Sequence, residues 1–216
     1  MIVDYELLGR ASTFYKNRGY TQIEVPRFVD VQTSSLTCDN LERVFLLKSD
    51  QPRALIGSSE QGFLQIFDDL EPNRLYFSVS ECFRNEPVED RTHQTVFSKL
   101  ELFVRGADLV ERFVVDALDF YRGENLVSKV AQPVLATTGQ RSFDICLDGV
   151  EIGSYGAFEK GGKFWSCGTG LALPRFSTAE VMAAGPRWSG DDDEIWESLK
   201  AAQESRWAGW MDDQAS

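Results

Sequence analysis

The chain has 216 residues, 43% of them hydrophobic and 12% aromatic, with a formal net charge of −12. That length suits one or two domains, and the apolar content can build a core, which excludes a wholly disordered chain. The acidic balance argues against a protein that grips nucleic acid through a general basic surface, and leaves a local basic groove open.

Apolar residues Leu7, Leu8, Ala11, Phe14 and Tyr15 recur at helical spacing. Asp4 can cap this segment and Gly19 can end it, so residues 4–18 read as an amphipathic helix. TQIEVP follows as a short strand stopped by Pro26. Residues 28–43 read as a polar loop, and VFLLK (44–48) as a buried strand. Ser58 or Ser59 can cap a helix that places Phe63, Ile66, Phe67 and Leu70 on one face. LYFSV (75–79) and VFSKLELFV (96–104) read as strands, the second with clear alternation. Asp108 can cap a helix carrying Leu109, Phe113, Ala117 and Phe120. SFDICL (142–147) is another strand, and KFWSCG leads from the Gly161-Gly162 turn toward a Gly-containing turn and a helix. Strands dominate the middle without regular βαβ alternation, which predicts an α+β fold with a largely antiparallel sheet. We divide the chain into a core, 1–186, and an acidic C-terminal helix or tail, 187–216, with a net charge of −5 and four tryptophans.

The four cysteines form no CxxC pair and His93 is the one histidine of the chain. These counts argue against a structural zinc site and fit a reducing, cytoplasmic setting. The N-terminus lacks the basic and apolar regions of a signal peptide. No apolar stretch approaches the roughly 18 residues of a membrane helix.

Residues 80–103, SECFRNEPVEDRTHQTVFSKLELF, place two strand-like stretches around a charged loop at 85–95. Arg84 and Glu86 share one face of the first strand by their spacing, and Phe97, Lys99 and Glu101 share one face of the second. A hairpin would then present a guanidinium, carboxylates and an aromatic plate on one surface. Arginine binds phosphate or carboxylate bidentately, an aromatic ring stacks on a purine, and a carboxylate accepts from an exocyclic amine. The set suits ATP and an anionic co-substrate; a salt-bridged structural hairpin is the other reading.

FRNE, a polar loop and VFSKLELF resemble motif 2 of the class II aminoacyl-tRNA synthetases. GYTQIEVP with its preceding helix resembles motif 1, and GTGLALPR (168–175) resembles motif 3. FDICLDGVEIGSYG (143–156) is similar to the stretch before motif 3 in the aspartate, asparagine and lysine subclass. The matches fall in the family's order over residues 4–180. Two departures stand out: Ala172 replaces a glycine of motif 3, and Pro174 precedes Arg175.

The resemblance implies an antiparallel sheet flanked by helices and an adenylate-forming ligase that uses ATP and Mg²⁺. Arg84 would hold the ATP α-phosphate and the amino-acid carboxylate. Glu86 would contact the adenine amine, Phe97 would stack on adenine, and Arg175 would bind the γ-phosphate. Asp144 and Glu151, seven positions apart, would hold Mg²⁺, a hard cation that prefers oxygen ligands. Glu60, in GSSEQGF, resembles a glutamate near the amino-acid site. His93 and Arg91 would lie in the motif 2 loop, which touches ATP and in some members the tRNA acceptor end. Motif 1 implies a homodimer. We expect no anticodon-binding domain beside this core, so the acceptor could be a tRNA acceptor end, a protein or a small molecule. A non-catalytic regulatory or ligand-sensing module of the same fold is the alternative.

Overall fold

Helix α1 (Tyr5–Asn17) starts where the Asp4 carboxylate accepts from the Leu7 backbone N–H at 2.8 Å, satisfying a donor that the first turn leaves without a partner. It buries Leu7, Leu8, Ala11 and Tyr15. A computed structural model describes residues 3–38, 40–48, 50–90, 92–124, 133–135, 142–147 and 149–184. The acidic segment 187–216 and Arg91 lie outside these residues.

After α1 the chain contributes strand β1 (Thr21–Gln22), which is shorter than the predicted TQIEVP strand. The stretch predicted as a polar loop instead forms β2 (Phe28–Asp30), α2 (Val31–Ser35) and a 3-10 turn at Leu41–Arg43. The predicted buried strand at 44–48 shrinks to β3 (Leu46–Leu47), and both leucines are exposed. β3 is the edge of a small sheet ordered β2-β4-β3, where β4 is Arg53–Leu55. An edge strand has one partner and can leave apolar side chains in solvent, a distinction that composition does not encode. Ser58 caps α3 (Ser59–Gln65).

Strands β5 (Leu75–Phe83) and β6 (Val96–Arg105) form the predicted hairpin. Helix α4 (Val110–Gly123) follows, with the Asp108 carboxylate accepting from Val110 N–H at 3.3 Å. β7 (Pro133–Leu135), β8 (Ser142–Leu147), β9 (Val150–Lys160) and β10 (Lys163–Leu173) complete the large sheet, and α5 (Arg175–Ala184) follows. Its strand order is β1-β5-β6-β10-β9-β8-β7. Every pairing is antiparallel except β1 with β5. The stretch GTGLAL, predicted as a turn, is the second half of β10. Its irregularity is a bulge between Thr169 and Leu171.

The glycines of this strand are packing requirements. A Cβ on Gly168 would lie 2.2 Å from Cδ1 of Tyr155, and one on Gly170 would lie 2.4 Å from Cδ2 of Leu100 and 2.9 Å from Cε2 of Tyr15. The Tyr155 hydroxyl donates to the Thr169 carbonyl at 2.6 Å, and the Tyr15 hydroxyl donates to the Gly170 carbonyl at 3.0 Å. Two buried tyrosines thus hold the bulged strand where no side chain can intervene.

The two faces of the sheet differ in covering. On one, Phe77, Leu100, Leu102, Ile145, Ile152 and Leu171 pack with residues of α1, α4 and α5 in the main core. On the other, α3 covers only one end, where Phe63 stacks on Phe103 with centroids 4.6 Å apart, beside Trp165 and Tyr76. Beyond α3, among the described residues, that face borders two cavities. Among the described residues no helix is long and apolar enough to cross a membrane.

Candidate active site

The β5–β6 register pairs Cys82 with Phe97, Ser80 with Lys99 and Ser78 with Glu101, so these side chains share the cleft face. Arg84 and Glu86 lie beyond the end of β5 rather than on it. The chain turns there, with Glu86 N–H donating to the Arg84 carbonyl at 2.9 Å. Arg84 is anchored by Nε donating to the Gly57 carbonyl at 3.0 Å. Its guanidinium carbon lies 5.0 Å from the centre of the Phe97 ring, a cation–π contact.

Six residues expected from the sequence line one cavity of about 260 Å³: Arg84, Glu86, His93, Phe97, Glu151 and Arg175. Arg175 opens α5, after a cis Leu173–Pro174 peptide, and points into this cavity. Its Nη1 donates to Glu151 Oε1 at 3.0 Å and its Nε to the Thr92 carbonyl at 3.2 Å. The His93 loop is organised by Asp90, whose Oδ1 accepts from the backbone N–H of Thr92 and of His93, both at 2.7 Å. Partial burial works to raise the Asp90 carboxyl, but these donors outweigh it and hold it at about 2. His93 Nδ1 lies 3.1 Å from both Asp90 carboxylate oxygens.

A second cavity of about 350 Å³ adjoins the first, sharing Arg84, Lys99 and Ser154 as walls. Glu60 lines it and accepts from Trp165 Nε1 at 2.7 Å. Burial pushes the Glu60 carboxyl above its ordinary range, and the negative charge of Glu101 adds to this, against the Cys167 and Trp165 donors. Glu101, 2% exposed, is held by Lys99 Nζ at 2.8 Å and by the Ser58 hydroxyl.

Asp144 and Glu151 come to one face through a bulge. β8 pairs Asp144 with Ser154 and Cys146 with Glu151, with a register shift between Ile145 and Cys146. The extra residue turns an odd spacing of seven into side chains on the same side. Burial raises the Cys146 thiol, and the charges of Asp144 and Glu151 add to it, as expected for acids flanking it on this face. Glu151 reaches the first cavity; Asp144 is not among its lining residues. No group of three or more His, Cys, Asp or Glu side chains able to hold a metal ion occurs among the described residues. Two carboxylates on one face still suit a cation whose other ligands are phosphate oxygens and water.

Sequence reasoning missed Arg43. It comes from the 3-10 turn after α2 and forms an ion pair with Glu86, whose side chain is 4% exposed. The same turn is stapled to the hairpin by Asn85, which donates from its backbone N–H to the Arg43 carbonyl and from Nδ2 to the Glu42 carbonyl. Nothing in a polar loop marks one arginine as the partner of a distant carboxylate. Lys99 was legible, because it alternates with Phe97 and Glu101.

The sequence matches no protein-family model and no curated protein. Solved structures do match. PylSc, a pyrrolysyl tRNA synthetase from Desulfitobacterium hafniense, aligns with a TM-score of 0.67 and 14% identity, covering 84% of this chain and 73% of that one. A second pyrrolysyl-tRNA synthetase structure from the same organism aligns with a TM-score of 0.65 and 15% identity, over 84% and 73%. Seryl-tRNA synthetase from Pyrococcus horikoshii, complexed with ATP, aligns with a TM-score of 0.62 and 16% identity, over 82% of this chain and 50% of that one. Similarity at such identities is a statement about architecture, and by that measure the chain has the fold of a class II aminoacyl-tRNA synthetase catalytic core.

Proposed function

We propose that the chain activates an amino acid with ATP, forming an aminoacyl-adenylate and pyrophosphate, and passes the aminoacyl group to an acceptor. One observation carries the reading: Arg84 stands where two cavities meet. The first offers Phe97 and Glu86 for adenine and Arg175 for the γ-phosphate; the second offers Glu60 for the amino-acid ammonium. An oxygen of the amino-acid carboxylate attacks the α-phosphorus. The bond from that phosphorus to the oxygen bridging to the β-phosphate breaks, and pyrophosphate leaves. Arg84 holds the carboxylate and the α-phosphate together and stabilises the charge that builds on the phosphoryl oxygens. No side-chain nucleophile is needed. His93, on the loop beside Arg175, adds a contact to ATP.

Asp144 and Glu151 would hold Mg²⁺, which when bound neutralises phosphate charge. Glu151, which here accepts from Arg175, would be the carboxylate turned to the cation, and the Arg175 guanidinium would then be available to phosphate. The acceptor is a tRNA acceptor end, a protein or a small molecule, and the working form is a cytoplasmic homodimer.

Amino-acid-dependent exchange of labelled pyrophosphate into ATP tests the reading. Exchange with at least one amino acid, lost in Arg84→Ala, is the expected result. Normal ATP binding without exchange for any amino acid would favour the ligand-sensing alternative.

A further inference from the structure

We infer that the amino acid taken by the second cavity carries an uncharged, hydrogen-bonding side chain; this rests on the activation reading above. Five charged side chains line that cavity: Arg43, Glu60, Arg84, Lys99 and Glu101. Three are committed within the protein. Lys99 and Glu101 form an ion pair at 2.8 Å. Arg43 is held by Glu86, which lines the neighbouring cavity.

Arg84 and Glu60 remain. Among the described residues neither has an ion-pair partner: Arg84 donates to the Gly57 carbonyl, and Glu60 accepts from the Trp165 indole. One cation and one carboxylate match the two charges that every α-amino acid brings. A charged side chain would add a third. To neutralise it the site would have to open the Lys99–Glu101 or the Arg43–Glu86 pair. An anionic side chain taking Lys99 or Arg43 would strand Glu101, 2% exposed, or the Glu86 side chain, 4% exposed; a cationic one taking Glu101 would strand Lys99, whose side chain is 12% exposed. Breaking a buried pair is costly because the orphaned charge stays out of water.

A second observation separates polar from aliphatic side chains. Ser142, at the start of β8, lines the same cavity. Its hydroxyl is buried and is one of two buried side-chain polar atoms, with that of Ser59, that have no hydrogen-bond partner among the described residues. Buried hydroxyls are nearly always satisfied, and one left open in a ligand cavity calls for an explanation. A ligand hydroxyl or carboxamide would complete it; an aliphatic or aromatic side chain would cover it and leave it unsatisfied. Sites built to hydrogen-bond a substrate group reject analogues lacking it far more strongly than apolar pockets reject an extra methylene.

Pyrophosphate exchange across the twenty amino acids, paired with a thermal-shift binding series using the same panel, tests the inference. The expected optimum is serine, threonine, asparagine or glutamine. Its kcat/KM should exceed that of any charged or aliphatic amino acid by about 100-fold or more. Ser142→Ala should raise KM for the preferred amino acid about tenfold with little change in kcat. An optimum with a charged, aliphatic or aromatic side chain overturns the inference and leaves activation standing. If no amino acid supports exchange, activation itself falls, and the thermal shifts decide the rest. Selective stabilisation by uncharged polar amino acids would uphold the pocket's preference, and any other pattern would overturn it.

Discussion

Arg175 Nη1 donates to Glu151 Oε1 at 3.0 Å, joining the first residue of α5 to the second residue of β9. The two side chains are 23% and 46% exposed. An ion pair this open contributes about 0–1 kcal/mol to stability. Arg175→Ala should therefore melt within a few degrees of the parent while lowering exchange kcat/KM by about 100-fold, the scale of losing one preorganised donor to developing charge. Retained activity would remove Arg175 from the proposed phosphate site. Arg175→Lys should recover only part of the loss, since an ammonium lacks the planar fork.

Arg43→Ala behaves differently, because its partner is sheltered. The Glu86 side chain is 4% exposed and would keep a charge without its cation. With the Arg43 side chain 46% exposed, the expected cost in urea unfolding is about 1–2 kcal/mol, between that of an open pair and a fully buried one. Glu86→Gln should relieve most of it, so the double variant is more stable than Arg43→Ala alone. Additive losses in this cycle would show that the pair is not energetically coupled.

Glu60 predicts a pH dependence. Burial raises its carboxyl above the ordinary value of 4.5. Binding an ammonium needs the ionised form, so the affinity for amino acid should fall as pH drops through a value above 4.5. Stability runs the other way. A folded-state pKa above the unfolded one favours folding at low pH, and that contribution is lost as pH rises through the folded value. Glu60→Gln should flatten the acid limb of the amino-acid KM profile. An unchanged limb in that variant would assign the titration to another group.

Gly168 and Tyr155 give a packing test. A methyl group at 168 would fall 2.2 Å from the tyrosine ring. Gly168→Ala should destabilise by about 1–3 kcal/mol, the usual scale of overpacking. In a Tyr155→Ala background the same change should cost much less. Equal costs in both backgrounds would mean that the strand backbone, not the ring, rejects the methyl.

Much of this molecule is written in local pattern. Asp4 capping α1, the alternation of β6, and the Gly161-Gly162 turn, both at positive φ, are set by neighbours in sequence, so periodicity and capping expose them. The residue types of the cleft were legible for the same reason: Phe97, Lys99 and Glu101 alternate on one strand, and Arg84 follows the strand they pair with. What the tertiary structure decided were the meetings between distant segments. A bulge in the β8–β9 pairing brings Asp144 and Glu151 to one face. The GTGLAL stretch is a strand rather than a turn because Tyr15 and Tyr155, 155 and 14 residues away from their carbonyl partners, fill the space that its glycines leave. Arg43 finds Glu86, 43 positions away, from a segment without periodicity. Sequence determines which groups each element presents. Their pairing across the cleft depends on register, bulges and backbone approach, which are settled only when the whole sheet packs.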